Sequence, residues 1–150
     1  MKRINYNDED ILDHHGVAAV IKNENGEILI QEHTKYGFWT IPVGKVKNGQ
    51  DIFDGLRQEI REECNIKIEK ADEIKFKKYT YNRAGNSVTV SSHLFEVKKY
   101  SGVVKNNEPE KHKQQIFLPL EKIKQLPYLS DLTLLYLDIL GFKETRISLI

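Results

Sequence analysis

From Gly16 onward, short apolar runs alternate with polar turns. GVAAVIK (16–22) and EILIQEH (27–33) read as two strands. Between them lies NENG, whose Asn25-Gly26 pair favours a tight turn with positive φ and predicts a hairpin. FWTIPVG (38–44) continues as an extended piece limited by Pro42. The period then changes. Phe53, Leu56, Ile60 and Cys64 form one apolar stripe, which predicts a helix over 51–64. Asp51 suits its N-cap, and Asn65 stands where a left-handed C-cap residue is wanted.

Strand-like runs return in EIKFKKYTY (73–81) and SVTVSSHLFEV (87–97), and NRAGN between them predicts a second hairpin. Residues 98–113 are polar and read as a long loop, followed by a short strand in QIFLPL (115–120). A last helix is predicted near the end, capped by Ser130, with Leu132, Leu135, Tyr136 and Ile139 on one face and Gly141 as its stop. Strands outnumber helices, and a helix interrupts them. The pattern predicts an α/β chain with a mixed β-sheet and helices on its faces.

Composition narrows this picture. A chain of 150 residues is long enough for one domain with a real core. We expect residues 1–150 to form that single domain, with the polar residues 1–13 as a loose arm. The formal net charge of +1 gives no bulk reason for binding nucleic acid or a membrane surface. No apolar run is long enough to span a bilayer, and the first residues lack a signal-peptide core. Cys64 is the single cysteine, so neither an internal disulfide nor a cysteine-rich zinc site can form. A reducing, cytoplasmic setting is the expectation. Of the five histidines, His14 and His15 are adjacent and would point to opposite faces of a strand, while His33, His93 and His112 are scattered; they predict no metal site.

Candidate chemistry lies on the first helix. Glu59, Glu62 and Glu63 stand at i, i+3 and i+4 and share a face. Crowded carboxylates repel one another, and a hard divalent cation such as Mg²⁺ relieves that repulsion. Solvated glutamate faces are common, however, so the cluster alone does not decide.

The surroundings of that face add to it. From Gly44 the chain resembles the Nudix box, whose last part reads R-E-U-x-E-E-x-G-U with U apolar. Gly44, Glu59, Ile60, Glu62, Glu63 and Ile66 match, while Gln50, Gln58 and Asn65 depart. FWTIPVGKV resembles the W-x-x-P-G-G segment that leads into the box, with Val43 in place of one glycine. GVAAVIKNENGEILIQEH is similar to the family's opening hairpin. NNEPEKHKQQIFLPLEKIKQLP is similar to the segment that closes the nucleotide pocket in MutT-like triphosphate pyrophosphatases. The resemblance covers about residues 15–140.

It implies a Nudix-type α/β/α sandwich and a hydrolase acting on a nucleoside diphosphate linked to another group. A nucleoside triphosphate, cleaved to monophosphate and pyrophosphate, is the favoured substrate. The rivals are a nucleotide-sugar or ADP-ribose pyrophosphatase, and an inactive nucleotide-sensing protein on the same scaffold. Glu59, Glu62 and Glu63 would hold Mg²⁺, with Mn²⁺ as the alternative. The catalytic set is these three with Glu110, favoured over Glu108 as the carboxylate from the later loop. Lys45 is expected on phosphates, and Trp39 and Phe117 on the base, each with a packing role as its rival. The expected partner is a small-molecule nucleotide, without stable nucleic-acid binding; a homodimer stays open. Where the family has an ion pair between loop and helix, this chain has Gln50 and Gln58. Two primary amides can each donate and accept, so a neutral pair is expected to replace the clamp.

Overall fold

The computed structural model describes residues 12–142. Their order is β1 (His14–Val20), β2 (Ile28–His33), β3 (Trp39–Thr40), β4 (Val43–Lys45), α1 (Ile52–Cys64), β5 (Lys67–Arg83), β6 (Asn86–Ser101), β7 (His112–Leu118), α2 (Leu120–Ile123) and α3 (Asp131–Ile139). One sheet has the order β4-β1-β6-β5 and is mixed, because β1 runs parallel to β6 and antiparallel to β4. The other has the order β3-β2-β7 and is antiparallel.

Strand alternation divides the core between two faces. Val17, Ala19, Ile21 and Leu29 join Leu56, Ile60 and Cys64 of α1. Ala18, Val20, Ile28 and Ile30 join Ile123 of α2 and Leu132, Tyr136 and Leu137 of α3. This is the expected α/β/α sandwich. Each fully buried Leu or Ile contributes roughly 1.5–3 kcal/mol, so Leu56 and Ile60 anchor α1 to the sheets.

The ends of α1 follow its sequence. Asp51 accepts from the Asp54 N–H, and Asn65 closes the helix at φ 65°. The NRAGN hairpin also forms. Ala84 and Gly85 both have positive φ, 52° and 82°, as the favoured two-residue hairpin turn requires.

Other expectations need correction. NENG does turn, with Gly26 at φ 75°. Its flanks pair antiparallel around the Lys22–Ile28 bridge, with the Asn23 N–H bonded to Glu27 O at 3.0 Å and the Leu29 N–H to Ile21 O at 2.9 Å, but β1 and β2 then enter different sheets. The polar stretch from Lys98 is not all loop. β6 runs to Ser101 and β7 starts at His112, because continued pairing satisfies backbone groups whatever the side chains' polarity. In α3 the buried face is Leu132, Thr133, Tyr136 and Leu137, while Ile139 is exposed. Thr133 turns inward because its hydroxyl accepts the Ile41 N–H at 3.0 Å and bonds Ser130 Oγ at 2.7 Å. Gly141 does end α3. Its N–H bonds Asp138 O and that of Phe142 bonds Leu137 O, a Schellman closure. Most of the expected N-terminal arm lies outside the described residues. At its end, Asp13 accepts the Thr89 N–H at 2.7 Å.

Candidate active site

α1 carries its three glutamates into unequal environments. Glu63 is buried, Glu59 half-buried and Glu62 exposed. Gly44 of β4 lies against Glu59 so closely that a Cβ there would fall 2.5 Å from Glu59 Cγ and 2.6 Å from its Oε2. Any larger residue would have to push that carboxylate aside. Gly55 serves the incoming loop in the same way, since a Cβ there would meet Val46 at 2.9 Å.

Burial, then Glu62 and Glu108, push the Glu59 carboxyl up to about 7, against the pull of Lys111 and Lys47. Burial, then Glu59, Glu108 and Glu62, push Glu63 well above the ordinary carboxylate range. Among the described residues, Glu63 Oε2 is buried without a hydrogen-bond partner. Its Oε1 lies 3.8 Å from His112 Nε2. Burial holds the His112 imidazole below its usual pKa, favouring the neutral ring.

Glu62 is held by a chain of amides. The Lys47 N–H donates to Gln50 Oε1 at 3.2 Å, Gln50 Nε2 to Gln58 Oε1 at 2.7 Å, and Gln58 Nε2 to Glu62 Oε1 at 2.9 Å. The expected neutral clamp therefore forms, and it extends to a glutamate of the cluster.

Behind Glu63 sits a polar layer that the sequence did not reveal. Gln115 Nε2 donates to Gln31 Oε1 at 2.8 Å and to the Glu63 carbonyl at 3.2 Å. Cys64 Sγ is 3.8 Å from Gln31 Oε1, and burial raises its thiol pKa far beyond the usual range. Gln31 interrupts the apolar run EILIQEH at a buried position and pairs in register with Gln115, which opens QIFLPL; a glutamine inside an apolar run was the available signal.

The loop carboxylate acting on Glu59 and Glu63 is Glu108, which pairs with Lys111 Nζ at 3.2 Å. Glu110 is exposed, and its charge bears on His112. Lys45 is half-buried beside Gly44. Trp39 packs against the core on the α3 face, opposite α1. Phe117 lies five positions along β7 from His112, roughly 16 Å at about 3.3 Å per residue. It lines a different hollow with Tyr100 and Val104.

The histidines pair across strands. His33 meets His112 edge to face at 5.8 Å, and burial lowers its pKa to about 4. His15 Nδ1 is 2.9 Å from His93 Nε2, and His93 Nδ1 bonds Glu73. Even so, no group of three or more His, Cys, Asp or Glu side chains is gathered into a ready cation cage among the described residues. Glu62 is exposed and turned to Gln58. The hard oxygen donors, their mutual repulsion and the orphaned Glu63 Oε2 fit a hard divalent cation.

The NUDIX domain family matches this chain over residues 12–134. The chain belongs to the Nudix family. Nudix hydrolase 5 of Arabidopsis thaliana is 26% identical over 118 residues, covering 75% of this chain and 38% of that protein. A Danio rerio protein named 8-oxo-dGDP phosphatase NUDT18 is 38% identical over 53 residues, covering 33% of this chain and 16% of that one. The chain thus spans well under half the length of these relatives. A MutT Nudix hydrolase structure from Burkholderia pseudomallei superposes with a TM-score of 0.69 at 25% identity, covering 84% of this chain and 96% of the other. Gly44 and Glu59 to Glu63, whose spacing resembles the Nudix box, lie within the matched residues.

Proposed function

We propose that the protein is a metal-dependent hydrolase of the pyrophosphate bond in a nucleoside diphosphate linked to another group. The favoured substrate is a (deoxy)nucleoside triphosphate, cleaved to monophosphate and pyrophosphate. The observation that carries this reading is the crowding of Glu59 against buried Glu63, whose Oε2 has no hydrogen-bond partner among the described residues. An enzyme that must neutralise phosphoryl charge needs such a pair; a scaffold that only packs does not.

Glu59, Glu62 and Glu63, with Glu108 facing them, would hold Mg²⁺ or Mn²⁺. The bound cation would offset the charge of the diphosphate and acidify a water. The chain's own groups supply the rest. Gly44 and the glutamine relay fix Glu59 and Glu62. Glu108, off the helix and backed by Lys111, is the carboxylate we assign to take the water's proton in place of Glu110. The water oxygen then joins phosphorus, and the bridging oxygen leaves with the second product. Lys45 remains the lysine assigned to phosphate. Trp39 and Phe117 we assign to packing. The reading takes the chain as one domain acting in a cytoplasmic setting on a small-molecule nucleotide.

Phosphate and pyrophosphate release should be measured over nucleoside triphosphates, oxidised nucleotides, a nucleotide sugar and ADP-ribose, each with Mg²⁺ and Mn²⁺. Triphosphate turnover that is lost in both Glu62→Gln and Glu63→Gln supports the reading. Preference for ADP-ribose or a nucleotide sugar would move the substrate, and tight binding without turnover of any compound would refute catalysis.

A further inference from the structure

A second hollow, of about 270 Å³, lies on the opposite side of α1 from Glu63, lined by Asp54, Arg57, Gln58, Arg61, Lys67 and Ile68. At about 100° per residue, Asp54, Arg57, Gln58 and Arg61 share one helix face and Glu63 lies roughly opposite. The wall facing them is the start of β5. Ile68, fully buried, gives an apolar floor, and Lys67 stands on the rim. Cations dominate, with Arg57, Arg61 and Lys67 against the single carboxylate of Asp54.

None of the three cations forms an ion pair with a carboxylate among the described residues. The Arg57 guanidinium stands 6.0 Å over the Phe53 ring, which steadies its stem. Unpaired guanidinium groups one helical turn apart present planar forks of N–H donors, and the lysine adds a point charge. The forks suit carboxylate and phosphate alike, and the excess of three cations over one carboxylate favours an oxyanion of more than one negative charge. The overall formal charge of +1 and the small size of the hollow argue against an extended polyanion.

We infer that this hollow is a second anion site, separate from the carboxylate cluster, that takes a phosphoryl or pyrophosphoryl group. It connects to the first site through one residue. Gln58 lines the hollow and also donates to Glu62 Oε1. An anion drawn to Arg61 and Lys67 therefore sits beside the side chain that orients a glutamate of the box.

The test is titration of inorganic pyrophosphate into the full chain in a chelating, metal-free buffer, read by calorimetry and by side-chain amide resonances. Without a cation the carboxylate cluster repels the anion, so binding reports on the hollow alone. Hydrolysis is assayed separately with metal, so either result can fail without the other. Saturable binding is expected, with the Gln58 amide resonances moving. Arg61→Gln and Lys67→Gln should each weaken it about tenfold, as loss of a charge-assisted bond does. Arg57→Lys should weaken it less than Arg57→Gln, and Glu63→Gln should not weaken it. Orthophosphate and ATP arms identify the source: tighter pyrophosphate supports the free anion, and tighter ATP supports a nucleotide's terminal phosphoryls. Absence of saturation, equal binding of sulfate, or binding unchanged in the Arg57→Gln/Arg61→Gln variant would overturn the site.

Discussion

The glutamate cluster should make the metal-free protein weaker as pH rises, and Glu59→Gln isolates that effect. Burial, then Glu62, raises the Glu59 carboxyl from 4.5 to about 7. The folded state then binds this proton more tightly than the unfolded state does. Its contribution is fully present below about 4.5 and is lost as pH rises through about 7. At about 1.36 kcal/mol per pKa unit the full difference is roughly 3.4 kcal/mol. Glu59 is only partly buried, and solvent screening leaves about half, ~1.5–2 kcal/mol. His33 and His112 act in the opposite direction, since their folded pKa values are lowered and stability falls as they are forced to charge. The quantity to follow is therefore the difference between wild type and Glu59→Gln in urea unfolding under chelator. From about pH 4.5 to 8 the wild type should lose ~1.5–2 kcal/mol relative to the variant. Adding Mg²⁺ at the upper end should restore the wild type more than the variant. A difference that stays constant across the window would refute the reasoning.

Other substitutions test neighbouring parts. Gly44→Ala must push aside the flexible end of Glu59, so we expect less than about 1 kcal/mol of lost stability in unfolding curves but a roughly tenfold to hundredfold loss of turnover. Gln50→Glu with Gln58→Arg exchanges one satisfied pair for another, and turnover should stay within a few-fold of wild type. Gln115→Leu leaves Gln31 Oε1 and the Glu63 carbonyl short of a donor and should cost about 1–3 kcal/mol in urea unfolding. In α3, Leu137→Ala should cost about 2–5 kcal/mol, whereas Ile139→Ala should cost under about 1 kcal/mol.

What could be read from the sequence was whatever local spacing encodes. The cap at Asp51, the stripe ending at Cys64, the turn at Asn65 and the amide pair Gln50–Gln58 all lie within one short segment. Sheet membership could not be read, because β1 finds its parallel partner β6 more than seventy residues away. The same distance hid the His15–His93 contact, which register alone creates. Glu108 and Glu110 lie in one loop, and only the folded path of that loop distinguishes their surroundings. The face of α3 was misjudged because Thr133 counts as polar in a pattern, yet its hydroxyl is bonded inside the core. Phe117 was placed near the base by resemblance; in the fold it lines the hollow with Tyr100 and Val104, a neighbourhood that no local spacing announces.

The amide relay from Lys47 through Gln50 and Gln58 to Glu62 has a consequence for the conditions the protein tolerates. An ion pair between loop and helix would weaken as salt screens it and would break when its acid is protonated. Primary amides do neither. The loop before α1 should thus keep its grip on the helix in concentrated salt and over a broad pH range. Electrolyte should instead act on the crowded carboxylates and on any cation held between them, so ionic strength would tune metal affinity while leaving the framework around it in place.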